Sequence, residues 1–522
     1  MLRSLQNLRW REAIPRIAAD YLILHLSMIA ALAISVIYQT GTGDAAAAHA
    51  IVSGFLRYYT AFFWSLSPIC PLVFFLNGFY THSRAYVGPY KAFIILRGVT
   101  LASLAFFAAN FLFFGNEKVG RSVAFPFMVF AAVGTVSVRA LKDIVEKHYF
   151  VRSKRNPSPA PRPDQVLVVG GAGYVGSLLV ERLLEKGYRV RVLDSLLYGD
   201  EPLRPVRNHR DFDLIVGDCR NIQDVVRAVR GVESIIHLAA IVGDGACDQD
   251  HGPALETNYA ATRMLIEIAK GHGVSRLLFA SSFSVYGGTN VEMDENAAVE
   301  PISLYGQTKV DSERALLDAK SANFHPIILR FATVFGLGYR HRFDLVVNLL
   351  TAKACQEGVI TIFNGQQWRP FIHVRDLVEA IVRVLEAPVR LVSGEVLNVG
   401  DGQLNHTLTE VAAVIRGAFP NVRVEHVYNS DLRNYRVNFD KLVRCTGFRA
   451  RYTLRDGVDE ISKAFDQRTI TDYTDLRYHN QRFLQAVGSP ANKDEVDALV
   501  MAAFSNRLKK SPGLVSTQAR SA

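Results

Sequence analysis

Cysteine is scarce in this 522-residue chain. Its five residues, Cys70, Cys219, Cys247, Cys355 and Cys445, include no CxxC pair and no ligand spacing. That scatter excludes a disulfide framework and a structural zinc site, and reads as reduced thiols in a cytosolic compartment. Charge is sparse within the long apolar runs of the first 150 positions. Beyond them the long runs are missing, and short apolar segments alternate with charged ones, as in a globular domain. The formal net charge is +10, but the basic residues cluster around the hydrophobic runs rather than along one amphipathic face. Nucleic acid is thereby excluded as the partner.

Four stretches of the first 150 residues reach the roughly 20 apolar residues a bilayer-crossing helix needs. They are Tyr21–Tyr38, Tyr58–Tyr80, Ala92–Phe114 and Val123–Leu141. Pro68 and Pro71 predict a kink in the second. The first run starts late and three others follow it, which argues against a cleaved signal peptide. Fourteen lysines and arginines flank the runs on one side, from Arg3 to Arg162, against Arg57, Lys118 and Arg121 on the other. By the positive-inside rule both termini and everything after residue 150 are cytoplasmic, so the expectation is a multi-pass protein of the cytoplasmic membrane with the lipid bilayer as a partner. Asp20, His25 and Arg97 stand near the helix ends, where an interfacial position is expected. Residues 151–164, VRSKRNPSPAPRPD, read as an extended basic linker.

From Gln165 the periodicity becomes strand, helix, strand: QVLVVGG, GYVGSLLVERLLEKG, YRVRVLD. Between the first two lies a glycine fingerprint. Gly170 permits the tight turn, Gly173 lets the backbone approach a pyrophosphate, and Gly176 lets the helix pack on the strand. Tyr174 and Val175 open the helix, whose free N–H groups and dipole favour phosphate. Asp194, at the tip of the second strand, suits the adenosine ribose hydroxyls and repels a 2′-phosphate, so NAD is the cofactor expected.

Tyr305 and Lys309 stand four apart at the start of YGQTKVDSERALLDA, hence one turn apart on one helix face. A phenol of pKa about 10 is a poor base at neutral pH. A neighbouring ammonium and a cationic nicotinamide ring would lower it. Tyr305 can then take a proton from a substrate hydroxyl while hydride leaves the same carbon. Lys309 also suits the nicotinamide ribose. Ser282, ending RLLFASS, would donate to the reacting oxygen.

Over residues 165–465 these motifs resemble the extended short-chain dehydrogenases/reductases, nearest to UDP-galactose 4-epimerase-like enzymes. The 1–150 block resembles the membrane region of bacterial polysaccharide-biosynthesis epimerase/dehydratases. The resemblance implies a doubly wound parallel Rossmann sheet with a smaller C-terminal substrate-binding subdomain, following a four-helix transmembrane domain. It further implies adenine contacts from Asp218 and Cys219, a cofactor lining at Ala239, and support of that lining by Asn258. A nucleotide-diphosphate sugar is the implied substrate, held by Arg369, by Arg433 and by Asn348. A homodimer is implied as well. Pro370, Thr333 and Tyr428 depart from the family pattern on the substrate side.

Relatives that dehydrate or decarboxylate the 4-keto sugar carry a carboxylate beside the catalytic Ser or Thr. Here those positions are Phe283 and Ser284, neither able to do acid–base work at C5 or C6. The expectation is therefore a nucleotide-sugar 4-epimerase of surface-glycan synthesis. A dehydratase, or an oxidoreductase resembling hydroxysteroid dehydrogenases, is the alternative. Residues 466–522 carry no motif and read as a partly disordered tail with a short amphipathic helix near 495–510.

Overall fold

The computed structural model describes residues 10–40, 45–76, 98–109, 121–148, 162–288, 291–429, 434–488, 497–498 and 501. The chain divides into two compact units, Met1–Asn156 and Pro157–Ala522.

The first unit contains the helices α1 (Trp10–Thr40), α2 (Ala45–Leu76), α3 (Gly98–Ala109) and α4 (Arg121–His148). Their apolar stripes meet in a core of Leu24, Met28, Leu66, Phe74, Phe106 and Phe127. The outward side is apolar too: Leu22, Leu26, Trp64, Leu104, Phe125 and Val133 are exposed. Polar groups lie inside instead. His25, expected at an interface, is buried, with Nδ1 3.1 Å from the Tyr59 hydroxyl and Nε2 3.2 Å from Ser67 Oγ. Asp20 is buried as well, while Arg97 lies outside the described residues. Helix α2 continues through Pro68 and Pro71.

Among the described residues one segment, Ile17–Ser35 of α1, is long and apolar enough to cross a membrane. Phe63–Phe74, Gly98–Ala109 and Val123–Val138 are apolar but shorter. Parts of the expected second and third spans, 77–80, 92–97 and 110–114, lie outside the described residues.

Among its described residues the second unit has fourteen strands. They are β1 (Arg162–Val169), β2 (Arg189–Asp194), β3 (Phe212–Val216), β4 (Val232–His237), β5 (Arg276–Ser282), β6 (Glu292–Met293) and β7 (His325–Phe331), then β8 (Thr333–Phe335), β9 (Val359–Phe363), β10 (Trp368–His373), β11 (Val396–Val399), β12 (Asn405–Thr407), β13 (Arg423–Val427) and β14 (Arg436–Val437). Seven form one sheet in the order β3-β2-β1-β4-β5-β7-β11, every pairing parallel. Its central strands are near-continuous apolar runs because helices cover both faces. Val166, Val168, Val190, Val192, Ile236, Leu278 and Ile327 are all at most 1% exposed. Burying each such side chain contributes about 1.5–3 kcal/mol.

The chain winds outward from β1 to β3, then returns to β4 on the other side of β1. That reversal opens a crevice beyond the carboxyl ends of β1 and β4, the place where open α/β sheets bind ligands. A smaller region flanks it, with β10 between β8 and β12, and β9 beside β13. This is the Rossmann-like α/β fold expected. Strand β1 begins at Arg162, inside the stretch read as linker, with an irregular register before Val166. The chain beyond Asp466 is folded as far as Gly488, and includes a helix at Asn480–Val487.

Candidate active site

The glycine loop joins β1 to helix α5 (Tyr174–Glu185). Gly170 has φ +90°, and a Cβ there would stand 2.7 Å from the Ala239 nitrogen, so only glycine fits. A Cβ on Gly176 would collide with the Gly170 carbonyl. Gly173 is the N-cap of α5, and no side chain caps the helix. Its first N–H groups therefore remain a donor set for an anion. The Tyr174 side chain turns away, its hydroxyl donating to the Gly336 carbonyl at 2.7 Å, which leaves only its backbone for the cofactor.

Asp194 accepts hydrogen bonds from Ala172 N at 2.9 Å and Leu196 N at 2.8 Å, one on each oxygen. It thereby clamps the glycine loop to the end of β2. Burial raises its pKa, against which those two backbone donors work. Each oxygen keeps a lone pair for a ribose hydroxyl. The open helix end and the fixed carboxylate together fit a dinucleotide such as NAD.

Further along the crevice, the Asp218 carboxylate is gripped by Arg220, with Nη2 at 2.7 Å and Nε at 3.1 Å. Arg220 is fully buried and also pairs with Glu256 at 3.3 Å. The motif reading stopped at Asp218 and Cys219 and missed this cation; its Glu256 partner lies 36 residues away. Burial, then the Asp218 charge, pushes the Cys219 thiol up to about 12, so it stays neutral. Ala239 donates its N–H to the Val169 carbonyl at 2.9 Å, placing it at the β1 end.

Asn258 acts on the lining as a support, not as a direct cofactor contact. It is 1% exposed, its Oδ1 accepts from Ile241 N at 2.8 Å, and its Nδ2 donates back to the Ile241 carbonyl at 2.9 Å. With both amide ends engaged it braces the loop after β4.

Tyr305 and Lys309 lie in the first turns of helix α6 (Leu304–Asp318), capped by Ser303. Both are buried. Ser282, at the carboxyl end of β5, lies close enough to the Tyr305 phenol to work toward lowering its pKa. Burial outweighs it and pushes the phenol well above its usual value, helped by Cys247 and Asp244 nearby. Lowering by Lys309 was the expectation, but the ammonium is turned elsewhere. Its Nζ donates to the Ala280 carbonyl at 2.8 Å and sits 5.6 Å from the Tyr305 ring centre. Burial brings Lys309 itself down to about 8. Asp244, whose carboxylate accepts from Ser303 Oγ at 2.7 Å, was not legible from any motif.

Beside Ser282, Phe283 points into the core against Tyr286, Tyr435 and Phe439, and Ser284 Oγ is 3.2 Å from Ser282 Oγ. Arg369 lies against Tyr435, 5.5 Å from its ring centre, and so on the same wall as Phe283. Its guanidinium donates to the Trp368 carbonyl and to Gln367 Oε1, at 2.9 and 3.0 Å. Asn348, expected on the diphosphate, is fully buried. Its amide accepts from Gly336 N at 2.9 Å and donates to the carbonyls of Gly336 and Arg342 at 3.0 and 2.9 Å, so it shapes a loop instead. Arg433 lies outside the described residues.

Known proteins resemble this chain in sequence and fold. An uncharacterized UDP-glucose epimerase of Bacillus subtilis is 34% identical over 261 residues, covering 48% of this chain and 81% of the relative. A UDP-glucose 4-epimerase of Rhizobium meliloti is 28% identical over 320 residues, 56% of this chain and 94% of the relative. The solved structure of MoeE5 in complex with UDP-glucuronic acid and NAD aligns with TM-score 0.52 and 31% identity, over 59% of this chain and 100% of that one. Residues 166–400 match the model of the NAD dependent epimerase/dehydratase family, to which the chain belongs.

Proposed function

We propose that this protein is a nucleotide-sugar 4-epimerase, which oxidises a sugar C4 hydroxyl and reduces the resulting ketone from its other face. One observation carries the reading. Ser282, Tyr305 and Lys309 stand together at the strand ends, and the two positions after Ser282 offer a core phenyl ring and a neutral hydroxyl. NAD, when bound, supplies the acceptor and donor of hydride.

The chain's residues handle the proton. Tyr305 takes it from the C4 hydroxyl, Ser282 steadies the oxygen, and Lys309 suits the nicotinamide ribose. The proton returns from Tyr305 when the ketone is reduced, so no net redox change follows. Arg369, on the wall that carries Phe283, suits the sugar nucleotide's diphosphate, and Arg433 is proposed for the same group. The purified protein, incubated with UDP-hexoses and with UDP-glucuronic acid, should invert C4 of at least one. Absence of a C4-inverted product from all of them would overturn the reading.

Asp244 favours a second outcome, because a carboxylate near Tyr305 could serve C5–C6 dehydration. Deuterium entering C5 from heavy water, with loss of the C6 hydroxyl, would identify it.

We further propose that residues 1–150 anchor the enzyme in the cytoplasmic membrane, with 165–465 and both termini on the cytoplasmic side, where surface-glycan precursors are assembled. The apolar outer faces of α1–α4, with Asp20 and His25 inside, are the reverse of a water-soluble bundle and support this. So does the Lys/Arg asymmetry. A thiol reagent excluded by the membrane reads the topology: a cysteine introduced at Lys118 should label in intact cells, and one at Ser153 should not. A homodimer belongs to the same reading and is tested by light scattering in detergent.

A further inference from the structure

Arg340 is a buried cation that no carboxylate contacts directly among the described residues. It is 6% exposed, it makes no salt bridge among the described residues, and its Nε has no hydrogen-bond partner there. Arg342, two residues on, is the opposite case: Asp344 holds it with two bonds of 2.8 Å. Burial, then the Arg342 charge, brings Arg340 down to about 10, an unusual state for a guanidinium. Removing a charge from water costs several kcal/mol unless an ion repays it. An unpaired guanidinium held in place therefore marks where an anion belongs.

The surroundings say which side of the crevice that anion occupies. The Arg340 guanidinium lies 3.6 Å from the ring centre of Tyr198, four residues beyond Asp194, and it interacts electrostatically with Asp194 itself. The loop that carries it, Gly336–Asp344, lies on α5, with Tyr174 donating to Gly336 and packing against Gly338. Arg340 thus stands beside the uncapped end of α5 and the ribose carboxylate, on the dinucleotide side.

What holds Arg340 there is the part of the chain that carried no motif. Its Nη2 donates to the Arg477 carbonyl at 3.1 Å and to Asn480 Oδ1 at 2.7 Å. Asn480 N donates to Asp344 Oδ2 at 3.1 Å, and Phe343 N to the Tyr478 carbonyl at 3.0 Å. Phe483 meets Tyr198 at 4.8 Å between ring centres, and Leu484 packs in the cluster that contains Tyr305, Ile241 and Cys247. The segment thus touches the loops that follow β2, β4 and β8.

We propose that residues 473–488, outside the matched family region, complete the dinucleotide site: they fix Arg340 as a cation for the cofactor's diphosphate and thereby retain the cofactor between turnovers. Asn480 is the positioning residue. The proposal rests on the NAD-dependent epimerase reading, in which the cofactor is regenerated in place and gains nothing from leaving.

Full-length protein in detergent, freed of sugar nucleotide, is titrated with NADH by fluorescence. Its co-purified dinucleotide is released by acid and quantified. Arg340→Gln should weaken NADH binding roughly tenfold or more and lose co-purified dinucleotide, since one charge-assisted contact to phosphate is removed. It should also flatten the salt dependence of binding. Arg340→Lys should recover part of the affinity, which a purely structural role would not allow. Asn480→Ala should weaken binding a few-fold, with Arg340 chemically intact. Unchanged NADH affinity in Arg340→Gln overturns the proposal. So does a loss confined to UDP binding, which would assign the cation to the sugar nucleotide's diphosphate instead. Should Arg340→Gln not fold, Arg340→Lys and Asn480→Ala decide, and native affinity in both overturns it. NADH binding is read without substrate, so the epimerase reading, tested by sugar products of the native protein, can fail separately.

Discussion

Glu313 grips Arg330 through two hydrogen bonds of 2.7 and 3.0 Å, and both side chains are 5% exposed. Around the pair, Ser281 donates to Glu313, and Arg330 donates to the Tyr286 hydroxyl at 2.9 Å, which in turn donates to Asn398 at 2.7 Å. The network ties α6 to β5, and so holds Tyr305 opposite Ser282. Removing one partner leaves the other buried and uncompensated, at a cost of about 3–5 kcal/mol. Glu313→Gln should therefore lower the denaturant midpoint strongly and reduce turnover with it. Tyr286→Phe, which removes one hydrogen bond to the charged guanidinium and leaves the ion pair in place, should cost less, about 1.5–3 kcal/mol.

Tyr305 separates chemistry from binding. Its phenol is the only proton acceptor the proposed reaction assigns to the C4 hydroxyl, and phenylalanine keeps the buried ring. Tyr305→Phe should lower kcat by roughly 10²–10⁴, the usual share of a general base. NADH affinity should stay near native, because the phenol oxygen is not a diphosphate contact. Rapid-quench measurement of the first turnover, alongside fluorescence titration, checks both halves.

Lys309 gives a pH dependence with a definite sign. Burial brings it to about 8 in the folded chain, from an ordinary 10.5. Below pH 8 both states carry the proton and the folded state bears the full cost of a buried ammonium. Between the two values the unfolded chain holds a proton that the folded chain has shed, so stability rises with pH across that window. The rise attributable to this residue is at most about 3 kcal/mol. Urea unfolding of the native protein and of Lys309→Met at pH 7.5 and 10 should show the difference between them shrinking as pH rises, since other titrating groups are common to both.

The parts of the site legible in sequence are those whose partners lie within a single strand–turn–helix unit. Gly170, Gly176 and Asp194 define one βαβ turn, and Tyr305 and Lys309 one helical turn, so spacing alone locates them. Asn348 was misplaced because an amide suits a phosphate oxygen and a backbone carbonyl equally. Only the fold brings Gly336 to it, 12 residues away. Arg340 shows the same limit more sharply. Its partners, Arg477 and Asn480, lie 137 and 140 residues on, in a segment whose polar sequence carries no helix or strand periodicity. The sheet, by contrast, follows from apolar runs and turn residues that need no distant information.

We propose that Asp194 selects between the two dinucleotides with a side chain that also braces the glycine loop. A 2′-phosphate would bring two negative charges against a carboxylate already held by Ala172 N and Leu196 N, with no room to turn away. Asp194→Asn keeps oxygen for one of those donors and removes the charge. NADP binding should then improve relative to NAD by roughly tenfold or more, as expected when one close like-charge contact is lifted. Absolute NAD affinity should fall as well, because a neutral amide accepts more weakly from the ribose hydroxyls. Asp194→Ala should lose both dinucleotides, since the loop clamp goes with the carboxylate. Equal NAD and NADP affinity in the native protein would show that selection lies elsewhere in the crevice.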